Sequence, residues 1–385
     1  MNGAGNIIPK SWSKPMRRLT FLFLSMVIWL SIAGCQRTPG AGWDQHREAL
    51  LIETNYKEVT IFLAGGQQIP LPQREDLRPW EWTPSGNRLV WISEKDDPAA
   101  LWVSDPCGQE EPQLVVDMSA YPKWRLASAG FHWLDDDTLL LDIRPRAYQP
   151  GQPCCYIWRM DVGTQISPSV WKESYSVVRV LSPQVLVLWS EATRANVFWT
   201  PQGIFPLPRS WKNPFFSPGH LSPDGRWLAW EGDDGIYVGP FDPRQGVLSE
   251  RKITSSGHLY GWQAEPTYLI VKHHQNIDEQ RSRYEFRFLD PSTGQRVRTR
   301  VFVEMHDRAG KAGYLHPLSP DGTRVALETW PIRQSKNEPW AAHVVILDLQ
   351  TGHREVLLTL ERGSPTVLDW KRIDLSRCPS PPEIR

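Results

Sequence analysis

The sequence predicts an all-β fold, a seven-bladed β-propeller, and three observations carry that expectation. One ten-residue phrase is spelled nearly the same way twice, as "LSPDGRWLAW" at 221–230 and "LSPDGTRVAL" at 318–327. Looser copies (an apolar anchor, a turn, then an apolar strand) recur along the chain, with anchors at Trp82, Trp133, Leu181, Leu221, Trp262, Leu318 and Trp370. Their spacings of 51, 48, 40, 41, 56 and 52 residues suit a four-stranded unit repeated around a ring. Six hairpin segments lie between the anchors, such as "FRFLDPSTGQ" (286–295) and "VVILDLQTGH" (344–353), and a seventh, "VTIFLAGGQQIPL" (59–71), stands before the first anchor. The last anchor has no hairpin after it. The N-terminal hairpin is therefore expected to complete the C-terminal blade and close the ring. Leu181 and Trp370 depart furthest from the pattern, which leaves six or eight blades as the other counts.

At the N-terminus, Arg17 and Arg18 precede an uncharged run, "LTFLFLSMVIWLSIA" (19–33). At about 15 residues it is short for a span needing ~20 and suits a signal-peptide core. It ends in Ile32-Ala33-Gly34-Cys35, which resembles the lipobox of bacterial lipoproteins. The resemblance implies cleavage before Cys35 and acylation of its thiol by palmitate-type chains. It also implies anchoring on the extracytoplasmic face of the cell membrane, or in an outer membrane where the cell has one. A short transmembrane anchor is the competing reading. Met16, directly before the arginines, reads as an alternative start. The expected organisation is a signal peptide at 1–34, the lipidated Cys and a tether at 35–56, the propeller at 57–378 and a tail at 379–385. Cys107, Cys154, Cys155 and Cys378 remain, and export permits disulfides. Four cysteines allow three pairings, and the sequence leaves them open.

Within the repeat, Pro-Asp-Gly supplies turn chemistry: Asp bonds its own backbone and Gly takes positive φ. Two copies carry the full Ser-Pro-Asp-Gly, and "WTPSGNRLVW" (82–91) carries a near form. The pattern resembles the WD40-like (PD40) repeat of TolB-type propellers over residues 58–376. That resemblance implies binding of protein partners in envelope complexes. Most of the 20 Trp are expected to pack between blades, where a large ring buries the most area.

Composition narrows the partners. Lys plus Arg and Asp plus Glu are equal at 43 each, so there is no cationic surplus to neutralise phosphates, and nucleic acid is not expected. No Gly-x-Ser-x-Gly elbow, Walker loop or dinucleotide fingerprint is present. Only "CPSPPEIR" follows the last anchor, where prolyl oligopeptidase-type enzymes carry a hydrolase domain. The chain is therefore expected to be a binding module and not an enzyme.

Three regions are candidate sites. The longer connections on one face carry Trp124, Trp211, Phe215, Phe216, Trp330 and Trp340 among Arg and Lys, a composition typical of protein-binding hot spots. The residues just before the anchors include Glu81, His132, His220 and Asp369, placed next to the axial channel as ligands for Ca²⁺ or Zn²⁺. His273, His274, Asp278 and Glu279 are expected to face His306 and Asp307 as a weaker cluster. Arg296, Arg298 and Arg300 alternate along one strand and read as a charged outer edge that blocks sheet-to-sheet aggregation. The function expected is a lipid-anchored, extracytoplasmic protein-binding or scaffold module. A propeller enzyme or ligand binder with a channel metal, and a glycan-binding module using the loop Trp residues, are the alternatives.

Overall fold

The repeated phrase folds the same way wherever it occurs. The structure, a computed structural model, describes residues 46–378 apart from 55–57, 64–66, 75–76, 94–99, 148–151, 163–168, 215–216, 218, 278–280, 306–317, 330–340 and 362–364. In the first full copy, Ser222 N donates to Trp227 O (2.7 Å), and Trp227 N donates back to Ser222 Oγ (2.9 Å). Asp224 accepts from Arg226 N (3.1 Å), and Gly225 takes φ +71°. Ser319 and Arg324 make the same reciprocal pair at 2.9 Å in each direction, with Gly322 at φ +69°. Thr83 replaces Ser in the third copy, bonding Arg88 around Gly86 at φ +78°. The hydroxyl and the glycine are thus the parts of the phrase that make the turn.

Each turn joins the two innermost positions of an antiparallel blade. Blade 1 comprises Leu77–Trp82, Leu89–Ser93, Ala100–Ser104 and Gln113–Asp117; blade 2 comprises Trp124–Trp133, Thr138–Pro145, Tyr156–Asp161 and Ser169–Glu173. Blade 3 is Tyr175–Ser182, Val185–Ser190, Ala195–Thr200 and Gly203–Pro206. Blade 4 is Gly219–Leu221, Trp227–Gly232 and Gly235–Asp242, whose outer side pairs with both Gly246–Val247 and Arg251–Thr254. Blade 5 is His258–Gln263, Tyr268–Asn276, Arg281–Leu289 and Arg296–Met305. Blade 6 shows Arg324–Thr329, Ala342–Asp348 and Arg354–Leu360, with its innermost position reduced to a bridge from Leu318 to Val325. Among the described residues, no helix is long and apolar enough to cross a membrane.

The second strand of each blade is apolar on both faces, and this makes the ring. Leu89 and Trp91 face blade 7 while Val90 faces blade 2; Leu139 and Leu141 face blade 1 while Leu140 faces blade 3. Leu269 and Val271 face blade 4 while Ile270 faces blade 6. A strand buried on both faces reads as a continuous apolar run, because alternate side chains enter different cores. The buried side chains form seven clusters, one at each interface between neighbouring blades, so the ring is closed at seven.

Closure takes more of the N-terminus than expected. Blade 7 is ordered Pro365–Asp374, His46–Thr54, Glu58–Leu63, Gln68–Pro70, with Leu50 opposite Trp370. The hairpin at 59–71 is present as predicted. The stretch 46–54, expected to belong to the 35–56 tether, is instead a nine-residue strand with Leu51 and Ile52 fully buried. The propeller therefore begins at His46, because "ALLIET" is an apolar run that has a sheet edge to join. Of the three open pairings the structure selects Cys107 to Cys378, which ties blade 1 to the segment after the last strand, 271 residues away. Cys154 and Cys155 carry free thiols.

Candidate functional site

Bulges in the innermost strands turn polar side chains toward the axis. Register shifts fall between Pro79 and Glu81, Leu126 and Phe131, Val177 and Arg179, Leu259 and Gly261, and beside Asp369. Such extra residues re-aim side chains next to functional sites in many sheets. Here they bring Glu81, His132, Arg179 and Lys371 onto one cavity of about 420 Å³, walled by Trp82, Phe131, Trp133, Val178 and Val180.

The electrostatics of this channel follow from burial. Burial, then the Asp369 carboxylate, pushes the Glu81 carboxyl up to about 7, with Lys371 pulling the other way. Burial also raises Asp369, whose oxygens accept from Trp82 N (3.0 Å) and Trp370 N (2.8 Å). His132 is lowered to about 4 by burial, and its Nε2 is buried without a hydrogen-bond partner. His220 is also lowered to about 4, by burial and then by the Arg179 charge. Burial lowers Arg179 as well, and its Nε has no partner. Arg179 and Lys371 were missed at the sequence level. The available signal was their place beside anchors Leu181 and Trp370.

The four residues expected to cage a metal do not converge. Among the described residues, no three of Glu81, His132, His220 and Asp369 bring ligand atoms within 4.8 Å of one another. Equivalent positions on different blades are held apart by the ring, and Asp369 is already engaged by two backbone amides. Asp105, Cys107 and Cys378 do cluster, but both sulfurs are in the disulfide. Cys154, Cys155 and Glu191 cluster too. There burial, then the bond to Cys155, pushes the Cys154 thiol up to about 12, away from the thiolate that binds metals.

The aromatic loop face is largely a packing surface where it is described. Trp211, expected as a binding residue, is 2% exposed and stacks on Trp230 at 6.4 Å, over a glycine, Gly219, whose missing side chain leaves room for the ring. Trp124 is half-buried, edge-on to Tyr156 at 5.1 Å and Trp158 at 5.4 Å. Phe215, Phe216, Trp330, Trp340 and the lipobox Cys35 lie outside the described residues, as do Asp278, Glu279, His306 and Asp307. His274 stacks on Tyr284 at 5.0 Å, while His273, on the opposite face, is lowered by burial and by Arg287.

The arginine-rich strand Arg296–Met305 also departs from expectation. Arg298 lies 3.9 Å over Phe288 and donates to Gln263 Oε1 (2.8 Å), and Arg300 donates to the carbonyls of Leu349 (3.2 Å) and Gln350. Arg298 thus folds back onto its own blade and Arg300 ties blade 5 to blade 6, so neither guards the edge. The opposite face of the strand leaves Val297, Val301 and Val303 exposed at 50%, 45% and 51%. Beside them on the neighbouring strand, Arg283 pairs with Val303, and Glu285 pairs with Val301. Glu285 is held ionised chiefly by its bond to Arg287 Nε (2.6 Å).

No known family matches the chain, and no curated protein matches it in sequence. Its backbone is similar to that of solved propellers. A prolyl endopeptidase aligns over 92% of this chain and 56% of its own, with 13% identity and a TM-score of 0.50. The chain thus spans little more than half the length of that protein. An oligogalacturonate lyase in complex with manganese aligns over 80% of this chain and 85% of its own, with 14% identity and a TM-score of 0.46. A putative TolB from Agrobacterium tumefaciens aligns over 86% of this chain and 95% of its own, with 13% identity and a TM-score of 0.35. At these identities the likeness is one of fold alone, and the fold is a seven-bladed β-propeller.

Proposed function

We propose that this chain is a lipid-anchored propeller that binds a partner protein at the extracytoplasmic face of the cell envelope. The observation that carries the binding role is the outer strand of blade 5. It is ten residues long, has no strand beyond it in its sheet among the described residues, and exposes three valines on one face. An extended apolar edge invites a further strand, and natural sheets usually blunt such edges unless they use them. Arg283, paired with Val303, suits a partner segment with a carboxylate next to its apolar residues. The lipobox ending in Cys35 supports the anchored location, and a disulfide at Cys107–Cys378 suits an oxidising compartment.

The test is in-cell crosslinking of the tagged full-length chain with quantitative mass spectrometry, beside a Val301→Lys, Val303→Lys double variant and Cys35→Ala. One near-stoichiometric partner should appear with the parent chain and fall roughly tenfold in the double variant, the loss expected on removing a central apolar contact. Cys35→Ala should move the chain out of the membrane fraction. Equal recovery of the partner by the double variant would remove the blade 5 edge from the reading. No enriched partner at all would remove the scaffold role.

A further inference from the structure

We propose that the axial channel is a binding site for a small organic carboxylate, held by Arg179 and Lys371 against an aromatic wall. This goes beyond the partner-binding reading and does not depend on it. Buried cations are normally paired, since an unpartnered charge removed from water is costly. Arg179 Nε is buried without a hydrogen-bond partner and lines the cavity beside Lys371, whose charge acts on the Glu81 and Asp369 carboxyls. His132 Nε2 is a second unsatisfied nitrogen in the same space. Two inward-facing groups with unpartnered nitrogens mark a place where the fold leaves polar bonding to something else.

The channel's own acids do not supply it. Asp369 is occupied by the amides of Trp82 and Trp370. Burial and the neighbouring Asp369 carboxylate disfavour ionisation of Glu81, so the two acids do not fully balance the cationic side chains of the channel. Burial and the Arg179 charge keep His220 from adding a further cation. The cavity therefore favours one added anion. Its walls choose the kind: Phe131 and Val178, both partly exposed, offer ring and methyl surface that a bare phosphate or sulfate would not use, beside the buried Trp82 and Trp133. At about 420 Å³ the space is at the small end of ligand pockets, which suits a single ring bearing a carboxylate.

The experiment titrates the full-length, detergent-solubilised chain with phenylacetate, the neutral phenylacetamide, and inorganic phosphate, read by calorimetry and by tryptophan fluorescence. Phenylacetate should bind and perturb Trp82 and Trp133 emission, with the amide and phosphate each at least roughly tenfold weaker. Arg179→Met should weaken phenylacetate by about tenfold or more, as the loss of a charge-assisted contact requires. Lys371→Met serves as the second variant should the first fail to fold. Arg244→Gln, on an exposed hairpin turn of blade 4, should leave binding unchanged. Equal affinity for phenylacetate and its amide, phosphate binding as tight as phenylacetate, or no binding to the folded parent chain at about 10 mM would each overturn the proposal.

Discussion

At the scale of single residues, the channel holds titratable groups whose effects on stability oppose one another. Glu81 has an ordinary value of 4.5 and a folded value of about 7. Between these the unfolded chain has lost its proton and the folded chain keeps it, so stability falls as pH rises through that window. His132 runs the other way, from 6.5 down to about 4, so stability falls as pH drops through that range. The parent chain should therefore show a shallow pH dependence in which the two slopes partly cancel. Replacing one group exposes the other. Glu81→Gln should gain on the parent by roughly 1–2 kcal/mol between pH 4.5 and 7. His132→Gln should gain on it as pH falls from 6.5 to 4. Denaturant midpoints at four pH values check both, and parallel curves for variant and parent would contradict the burial assigned to that group.

At the scale of elements, the Ser-Pro-Asp-Gly turn does two jobs, and its glycines separate them. A Cβ at Gly86 would sit 2.1 Å from the carbonyl oxygen of Arg372, and one at Gly322 would sit 2.0 Å from that of Trp262. Gly225 has nothing within 4 Å. All three need positive φ, but only the first two let the turn lie against the inner strand of the preceding blade. Gly225→Ala should cost about 1 kcal/mol of backbone preference, whereas Gly86→Ala and Gly322→Ala should cost at least about twice that through the added clash. Thermal melts of the three variants decide it. Blades are also pegged by acids at the ends of second strands: Glu231 accepts from Leu259 N (2.5 Å) and Glu328 from Val367 N (3.0 Å), each across an interface. The sequence carries this in "AWEG" and "ALET", an acid closing an apolar strand. It went unread because an acid there looks like ordinary strand-end solvation until the next blade is in place.

At the scale of the whole molecule, stability depends on how the ring is shut. The N-terminal strand His46–Thr54 lies inside blade 7, between the C-terminal strand and the hairpin, and the Cys107–Cys378 bond fastens the following segment to blade 1. A crosslink spanning 271 of the 385 residues constrains most of the unfolded chain. In the chain-entropy account, a loop of this length is worth about 5–6 kcal/mol. Cys107→Ser with Cys378→Ser, or reduction with dithiothreitol, should lower the melting temperature by several degrees. Hydrogen exchange should then speed first in blades 7 and 1, while the blade 3–4 core around Trp211 and Trp230 stays protected. Uniform loss of protection around the ring would show that the bond is not a local clasp.

The sequence by itself determined the all-β class, the seven anchors and the partnership of the two chain ends. Those features rest on local chemistry, hydroxyl–Asp–Gly turns and apolar strands, which short stretches of sequence display whole. Only the tertiary structure decided that Trp211 is a core residue, that Arg298 and Arg300 turn inward, that Leu51 and Ile52 belong to a strand, and that Arg179 and Lys371 share the channel with Glu81. Each of these depends on which neighbour occupies the facing blade, or on a one-residue bulge that changes where a side chain points. A shift of one position in a strand moves a side chain from one face to the other. That is decided across blades tens or hundreds of residues apart, beyond what a local pattern records.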